Sequence, residues 1–503
     1  MPYIRTNENE LNIPIRELGV PMYYQRLQMV LAALFVAFLL IACEKDKPEL
    51  GDADISILYT NDEHGWIEET DFANGAAKLM GKWKDAEAYT EGDGFLILSG
   101  GDNWTGPAIS TWFKGESTTE VMNAMNYSAS TIGNHEFDFT VTGLKDRIDQ
   151  ATFPYLSANI RLTGTDSIPE FIQPYIILDV NDIQVGIVGL TTTSASYSAF
   201  PAFVEDFDFI AYDEALESIV PKIWDGGAEL ILCIAHICYR EMVDLAPTAQ
   251  ALGISMIGGG HCNELISEMY SDDLALIEGG WQMANYARLD ISFNRDDVSV
   301  TQMSATNGAN QNSVADPEIA SIVSLWHSAT EQALGEIIGY TSAEIPRNSN
   351  QMHNLVTDSW LAIYTEADIA ITNSGGIRQA IAAGDISKGD IVGVLPFDNR
   401  IFEIQLTGSE VVNCLGGDLI MGGMTSVGGY RHLDGTPLKM DSIYSVLTTD
   451  YLYIQDATNF HLYDSDPYDT GMNYHQPTVD YIASLNTGAS NPLNNYLDDE
   501  PRR

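Results

Sequence analysis

Ile132-Gly133-Asn134-His135-Glu136-Phe137-Asp138 closes a short apolar run and sets an amide, an imidazole and a carboxylate within five positions. An apolar run that stops at glycine and at once presents such groups reads as a strand delivering its end to a ligand site. Four other segments repeat the pattern. Asp62-Glu63-His64 follows the run 55–60, Gly101-Asp102 follows 94–99, His236 follows 229–235, and Gly260-His261 follows Ile257 and two glycines. Taken in order, these strand ends supply the oxygen and nitrogen donors that a two-metal hydrolytic centre needs.

Working outward, the chain alternates two periods. Runs rich in β-branched residues at 55–60, 94–99, 130–132, 184–190 and 229–235 read as buried strands. Amphipathic stretches at 75–88 and 118–126 read as helices. This alternation argues for an α/β layered fold. The stretch 317–336 reads as one amphipathic helix joining two parts, with a second α/β region beyond it. The expected division is a signal segment at 1–43, a polar tether at 44–53, a catalytic part at 54–312, a linker helix within 313–340, a second part at 341–490 and a tail at 491–503. The polar stretch from Asn486 onward is expected to fray.

Composition narrows the partners. The net charge is −47, from 24 Lys and Arg against 71 Asp and Glu. Self-repulsion on that scale suits a saline or cation-rich exterior. It argues against a nucleic-acid polymer as ligand, because no basic patch offsets the phosphates. A small phosphate ester is compatible, since bound metals and a few arginines supply local positive charge. The apolar run 29–42 is short for a membrane span and ends in Leu40-Ile41-Ala42-Cys43, a pattern resembling a bacterial lipoprotein signal with Cys43 as the lipidated residue. An ordinary signal anchor is the bland alternative, and translation starting at Met22 would give a shorter lead. Either way the chain is expected to be exported, and the lipoprotein reading places it lipid-anchored at the periplasmic or outer cell surface. Cys233, Cys238, Cys262 and Cys414 are too few for a disulfide scaffold and are expected to be buried apolar thiols. A Cys238–Cys262 bridge stays open for an oxidising compartment.

Each candidate has a bland reading as well. Asp62 and His64, two apart after a strand, point the same way if the segment is extended and could share one ion; alone they would be a solvated loop pair. Asp102 beside glycines could bridge two cations or merely occupy a turn. Asn134 could give a neutral oxygen or cap a helix whose dipole Asp138 serves. Asp138 could instead orient His135, which would then stabilise or protonate a reacting oxygen. A lone His236 or His261 would more often be a satisfied core residue than a ligand.

The motifs together resemble the 5′-nucleotidase family of calcineurin-like metallophosphoesterases, over most of the chain after Cys43. The resemblance implies a four-layer α/β/β/α metallophosphoesterase domain followed by a smaller α/β 5′-nucleotidase C-terminal domain. It implies two divalent cations, such as Zn, Mn or Co. Asp62, His64 and Asp102 would hold one, and Asp102, Asn134, His236 and His261 the other, with His135 and Asp138 as the catalytic dyad. Asn263 departs from the family's His or Gln; its amide has a shorter reach toward the first metal. Ile371-Thr-Asn-Ser-Gly-Gly-Ile-Arg378 and Leu395-Pro-Phe-Asp-Asn399 resemble the substrate-binding part. By that resemblance Arg378 would grip phosphate, Phe397 would stack on a base and Asn399 would hold the nucleoside. Arg347 matches a family arginine with altered spacing. Asp456-Ala-Thr-Asn-Phe460 stands where the family has a glycine-rich run, so Phe460 is expected as the second stacking aromatic, with Asp464 or Asp466 near a ribose. The implied substrate is a nucleoside 5′-monophosphate, with UDP-sugars or 2′,3′-cyclic nucleotides as alternatives on the same scaffold. A thiosulfohydrolase shares the metal domain, and a nucleoside-binding protein with a decayed site is the reading from another class.

Overall fold

Apolar alternation decides which side of each strand faces what. In the computed structural model, which describes residues 50–70 and 73–503, Ile55, Ile57 and Tyr59 point into one core while Leu58 points into another. Burial on both faces is why the strand Asp52–Thr60 reads as an almost unbroken apolar run. The run 29–42, Cys43 and most of the tether lie outside the described residues.

Asp52–Thr60 pairs in parallel with Phe95–Ser99, which continues in parallel to Ala129–Thr131 and Tyr155–Leu156. On its other side Asn285–Asn294 and then Ser299–Ala309 extend the sheet antiparallel. A second sheet has Ile183–Leu190, Leu230–Ala235, Ile254–Gly258 and Leu274–Gly279 in parallel, edged by the antiparallel strands Tyr175–Val180 and Leu265–Ser271. Ile55, Ile57 and Leu98 of the first sheet meet Val185, Leu232 and Met256 of the second in one buried layer. Fully burying an aliphatic side chain of this kind contributes about 1.5–3 kcal/mol.

Helices cover the two outer faces. Ala76, Leu79, Met80 and Trp83 recur along one side of Gly75–Ala86 and pack on the first sheet. Tyr212–Asp225 and Tyr239–Ala251 cover the second sheet through Leu216, Ile219, Met242 and Leu245. The result is the expected α/β/β/α order.

The helix expected at 317–336 runs from Pro317 to Leu334. Asp316 caps it by accepting from Glu318 N–H at 3.0 Å and Ile319 N–H at 3.1 Å, and Pro317 starts it where no amide donor is needed. Ile319 and Val323 bury against the first sheet's helices, and Leu334 meets Ala108 and Val392. Beyond it lies a five-stranded mixed sheet in the order Leu419–Gly422, Ile369–Asn373, Ile443–Thr449, Arg400–Thr407, Tyr468–Asn473. Asn350–Ile363 and Gln476–Ser484 pack on one face and Gly408–Cys414 on the other.

Two expectations fail here. The tail does not fray: Leu493 is fully buried, and Arg502, 5 % exposed, donates to both Asp358 oxygens at 2.6 Å and to Asp498 at 2.9 Å. Polarity misled because one buried leucine and the paired charges of Arg502 are enough to anchor this segment. Of the four cysteines only Cys233 and Cys414 are free buried thiols, whereas Cys238 and Cys262 form a disulfide. The loops after two neighbouring strands bring their Cα atoms to 5.1 Å, a pairing that chain spacing does not reveal.

Candidate metal centre

The C-terminal ends of the parallel strands of both sheets open onto one cleft of about 550 Å³. Asp62, His64, Asp102, Asn134, His135, Asp138, His261 and Asn263 line it, and His236 lies fully buried beneath. Across the cleft stand Arg378, Phe397 and Asn399.

Backbone strain shapes this cage. Asp62, His64, Asp102, His261 and Asn263 all take left-handed φ values between 44° and 73°. Asp62 and His64 therefore do not sit in an extended segment, as alternation suggested. Their amides donate to Gly101 O and Asp102 O at 2.9 Å each, which curls the loop around its neighbour. Close approach also requires glycine at 133, where a Cβ would stand 2.2 Å from Asp102 Oδ1.

The imidazoles are held in defined tautomers. His236 Nδ1–H donates to Gly100 O at 2.7 Å and His64 Nδ1–H to Thr105 O at 3.0 Å, so each turns Nε2 inward. His236 Nε2 lies 3.0 Å from Asp102 Oδ2 and 3.3 Å from His261 Nδ1. Lone pairs packed so closely require a proton or a cation among them. Burial alone would lower the His236 imidazole, but the Asp102 carboxylate overrides it and pushes it up to about 10. Burial, reinforced by His236, pushes His261 down to about 4. Burial pushes Asp62 up to about 6 against the pull of His236.

This donor set fits divalent cations. Two groups, His64–Asp102–His135 and Asp102–His236–His261, each gather their ligand atoms within 4.8 Å and share Asp102. Asn134 Oδ1 is buried with no hydrogen-bond partner, so the amide does not cap the following turn, and a cation would satisfy that oxygen. Hard oxygens mixed with imidazole suit zinc or manganese equally, so the donors do not select between them.

Beside this cage, Asp138 accepts from His135 Nδ1–H at 2.8 Å, and the His135 ring stacks on Phe397 with centroids 5.6 Å apart. Burial would lower His135, but Asp138 outweighs it and raises the imidazole above its ordinary value. Arg378 Nη2 donates to His64 Nε2 at 3.1 Å. Arg347 does not reach the cleft; its Nε–H donates to Ile377 O at 2.7 Å, behind Arg378.

Phe460 is a correction. It is fully buried with Ile404, Leu406 and Tyr453 and takes no part in the cleft wall. The short helix Phe460–Tyr463 turns the ring inward after Asn459, which is itself left-handed. Asp464 instead accepts from Gln405 N–H at 2.8 Å, and neither Asp464 nor Asp466 lines the cleft. The aromatic surface that does line it, besides Phe397, comes from Phe200, Phe203 and Tyr451. Nothing in their local sequence distinguished these three from core aromatics.

Sequence reasoning also passed over the carboxylates behind the cage. Glu136 accepts from Gly133 N–H at 2.6 Å, Asn103 N–H at 2.7 Å and Asp102 N–H at 2.9 Å. Glu63 accepts from Thr60 Oγ1–H, from Asn103 Nδ2–H at 2.8 Å and from Ser99 Oγ–H at 3.1 Å. The only available signal was an acidic residue inside each ligand-bearing run.

Residues 329–427 match the family model described as 5′-nucleotidase, C-terminal domain. With the four-layer sandwich and its donor-lined cleft, that match supports a metal-dependent phosphoester hydrolase similar to 5′-nucleotidases. It is 27% identical over 419 residues to the trifunctional nucleotide phosphoesterase protein YfkN of Bacillus subtilis, covering 74% of this chain and 28% of that protein. To a 5′-nucleotidase of Vibrio cholerae it is 26% identical over 447 residues, covering 77% of this chain and 80% of the other. Its fold matches the crystal structure of a 5′-nucleotidase precursor from Thermus thermophilus with a TM-score of 0.74 at 20% identity, covering 90% of this chain and 99% of that one.

Proposed function

We propose that this protein is an exported two-metal phosphoester hydrolase that releases phosphate from nucleoside 5′-monophosphates. The observation that carries the reading is the convergence of Asp62, His64, Asp102, Asn134, His236 and His261 at one cleft, opposite Arg378 and Phe397. In this reading residues 54–312 form the catalytic part, 313–340 the linker and 341–490 the substrate-binding part. Export and a lipid anchor at Cys43 rest on the sequence run 29–42.

Asp62, His64 and Asp102, with Asn263 at longer reach, would hold one divalent cation, and Asp102, Asn134, His236 and His261 the other. Bound there, such cations supply an acidified water nucleophile and neutralise charge on the phosphoryl oxygens. The protein's own groups do the rest. The Arg378 guanidinium grips phosphate oxygens in its planar fork. His135, oriented by Asp138, stabilises the transferring phosphoryl group and hands a proton to the leaving 5′-oxygen. Phe397 stacks on the base and Asn399 holds the nucleoside.

The test is phosphate release by the purified full chain, stripped with EDTA and reloaded with Mn²⁺, Co²⁺ or Zn²⁺. 5′-AMP, UDP-glucose and 2′,3′-cyclic AMP are compared side by side. Metal-dependent turnover of 5′-AMP that is lost in His135→Ala is expected. Faster turnover of another substrate would reassign the specificity. Nucleoside binding without turnover under every metal would overturn the enzyme reading in favour of a binding protein.

A further inference from the structure

The disulfide sits between donor groups. Cys238 follows His236 by two residues, and Cys262 lies between His261 and Asn263. The bridge thus closes a loop whose two ends carry three of the candidate ligands.

The turn around Cys262 is exposed and left-handed. His261 and Asn263 are left-handed at φ 73° and 59°, a conformation that costs non-glycine residues energy and persists only when the surroundings enforce it. Cys262 and Asn263 are exposed, so no core packing holds them. Noncovalent ties flank it on both sides: Gly260 N–H donates to Ile237 O at 2.9 Å, His261 N–H to Asp62 Oδ2 at 2.9 Å and Cys262 N–H to Gly260 O at 2.8 Å, while past the turn Glu264 N–H donates to Glu278 Oε1 at 2.7 Å and Glu264 Oε2 accepts from Tyr239 N–H at 3.0 Å. The other end is firmly anchored. Cys238 heads the helix Tyr239–Ala251 in a capping box with Glu241, and His236 is fixed to Gly100 O.

We infer that the Cys238–Cys262 bridge is a positioning element of the metal centre, tying the strained His261–Asn263 turn to the anchored His236 loop so that their donors converge. The inference rests on the metal-binding part of the proposed function. The expected effect is on cation retention.

The experiment compares the native full chain with a Cys238→Ala/Cys262→Ala double variant. Both are replaced so that no lone thiol becomes a new ligand. Zn²⁺ dissociation constants are measured by competition with a chromophoric chelator, and unfolding is followed separately in EDTA. Affinity at one of the two sites should fall by about 10-fold, the scale seen when a group that orients a ligand is lost. A double variant that unfolds earlier in EDTA yet binds Zn²⁺ like the native chain would reduce the bridge to a simple crosslink and overturn the inference. Should the variant not fold, native chain reduced with dithiothreitol and capped with iodoacetamide gives the same comparison. Peptide mapping that finds Cys238 and Cys262 unbridged in the exported protein would also overturn it. Failure of the native chain to bind Zn²⁺ at all would remove both this inference and the metal-binding reading, whereas binding without 5′-AMP turnover would remove only the latter's substrate.

Discussion

Replacing Glu136 by Gln tests how the cage is held open. The native carboxylate receives three backbone N–H groups on two oxygens, two of them on Oε2 and one on Oε1. Burial, reinforced by Asp102, pushes this group up to about 8, while those donors pull the other way. A glutamine keeps one oxygen, which can serve Asp102 and Gly133. Its NH₂ then faces the Asn103 amide, donor against donor. One buried N–H left without an acceptor costs about 1–3 kcal/mol. A loss of about 1–3 kcal/mol in stability is therefore expected. Since Asp102 and Asn134 ride on the same two loops, metal affinity should fall with it. Urea unfolding in EDTA and Zn²⁺ competition read the two effects. Glu136→Asp, one methylene short of its donors, should behave no better than Gln. A Gln variant within about 0.5 kcal/mol of native, the range of neutral surface changes, and with native Zn²⁺ affinity, would refute the argument.

Other perturbations address other parts. His135→Ala should lower kcat by about 10²–10⁴-fold with Zn²⁺ affinity nearly intact, read by steady-state kinetics and chelator competition. Phe200→Ala and Phe203→Ala should raise KM for 5′-AMP by about 10-fold, on the scale of the 1–3 kcal/mol attributed to base–aromatic stacking, and leave ribose 5-phosphate unchanged; equal shifts for both substrates would remove the aromatic wall from recognition. Arg502→Met should destabilise the C-terminal sheet by about 2–3 kcal/mol, below the 3–5 of a fully buried pair because its partners are partly exposed, as read by thermal unfolding. Burial would raise Asp498, but Arg502 outweighs it and holds the carboxyl below its ordinary value. Its contribution is then present above about pH 4 and lost as pH falls through the lowered value, so the native-to-variant gap should narrow in acid.

Much of the layered fold is written locally. Ile55, Ile57 and Tyr59 alternate with Leu58 because both sides of the strand meet apolar layers, and β-branched runs ending in glycine marked where loops could approach a ligand. The convergence of Asp62, Asp102, Asn134, His236 and His261 followed from those ends being parallel and adjacent. What stayed hidden depends on distant partners. Phe460 is inward because Asn459 turns the chain, and Arg502 is ordered because Asp358, 144 positions away, receives it. The Cys238–Cys262 pairing, open in the sequence, was decided only by two loops meeting, and the roles of Phe200, Phe203 and Tyr451 needed the cleft itself.

The left-handed ligand residues have one more consequence. At roughly 1–2 kcal/mol each, five such conformations total about 5–10 kcal/mol, comparable to the whole net stability of an ordinary domain. Evolution toward a sturdier fold would find easy gains by placing glycine there, and each gain would delete a donor. Selection for thermal robustness and retention of chemistry therefore pull on the same few positions in opposite directions, and a hardened homologue should acquire its stability elsewhere.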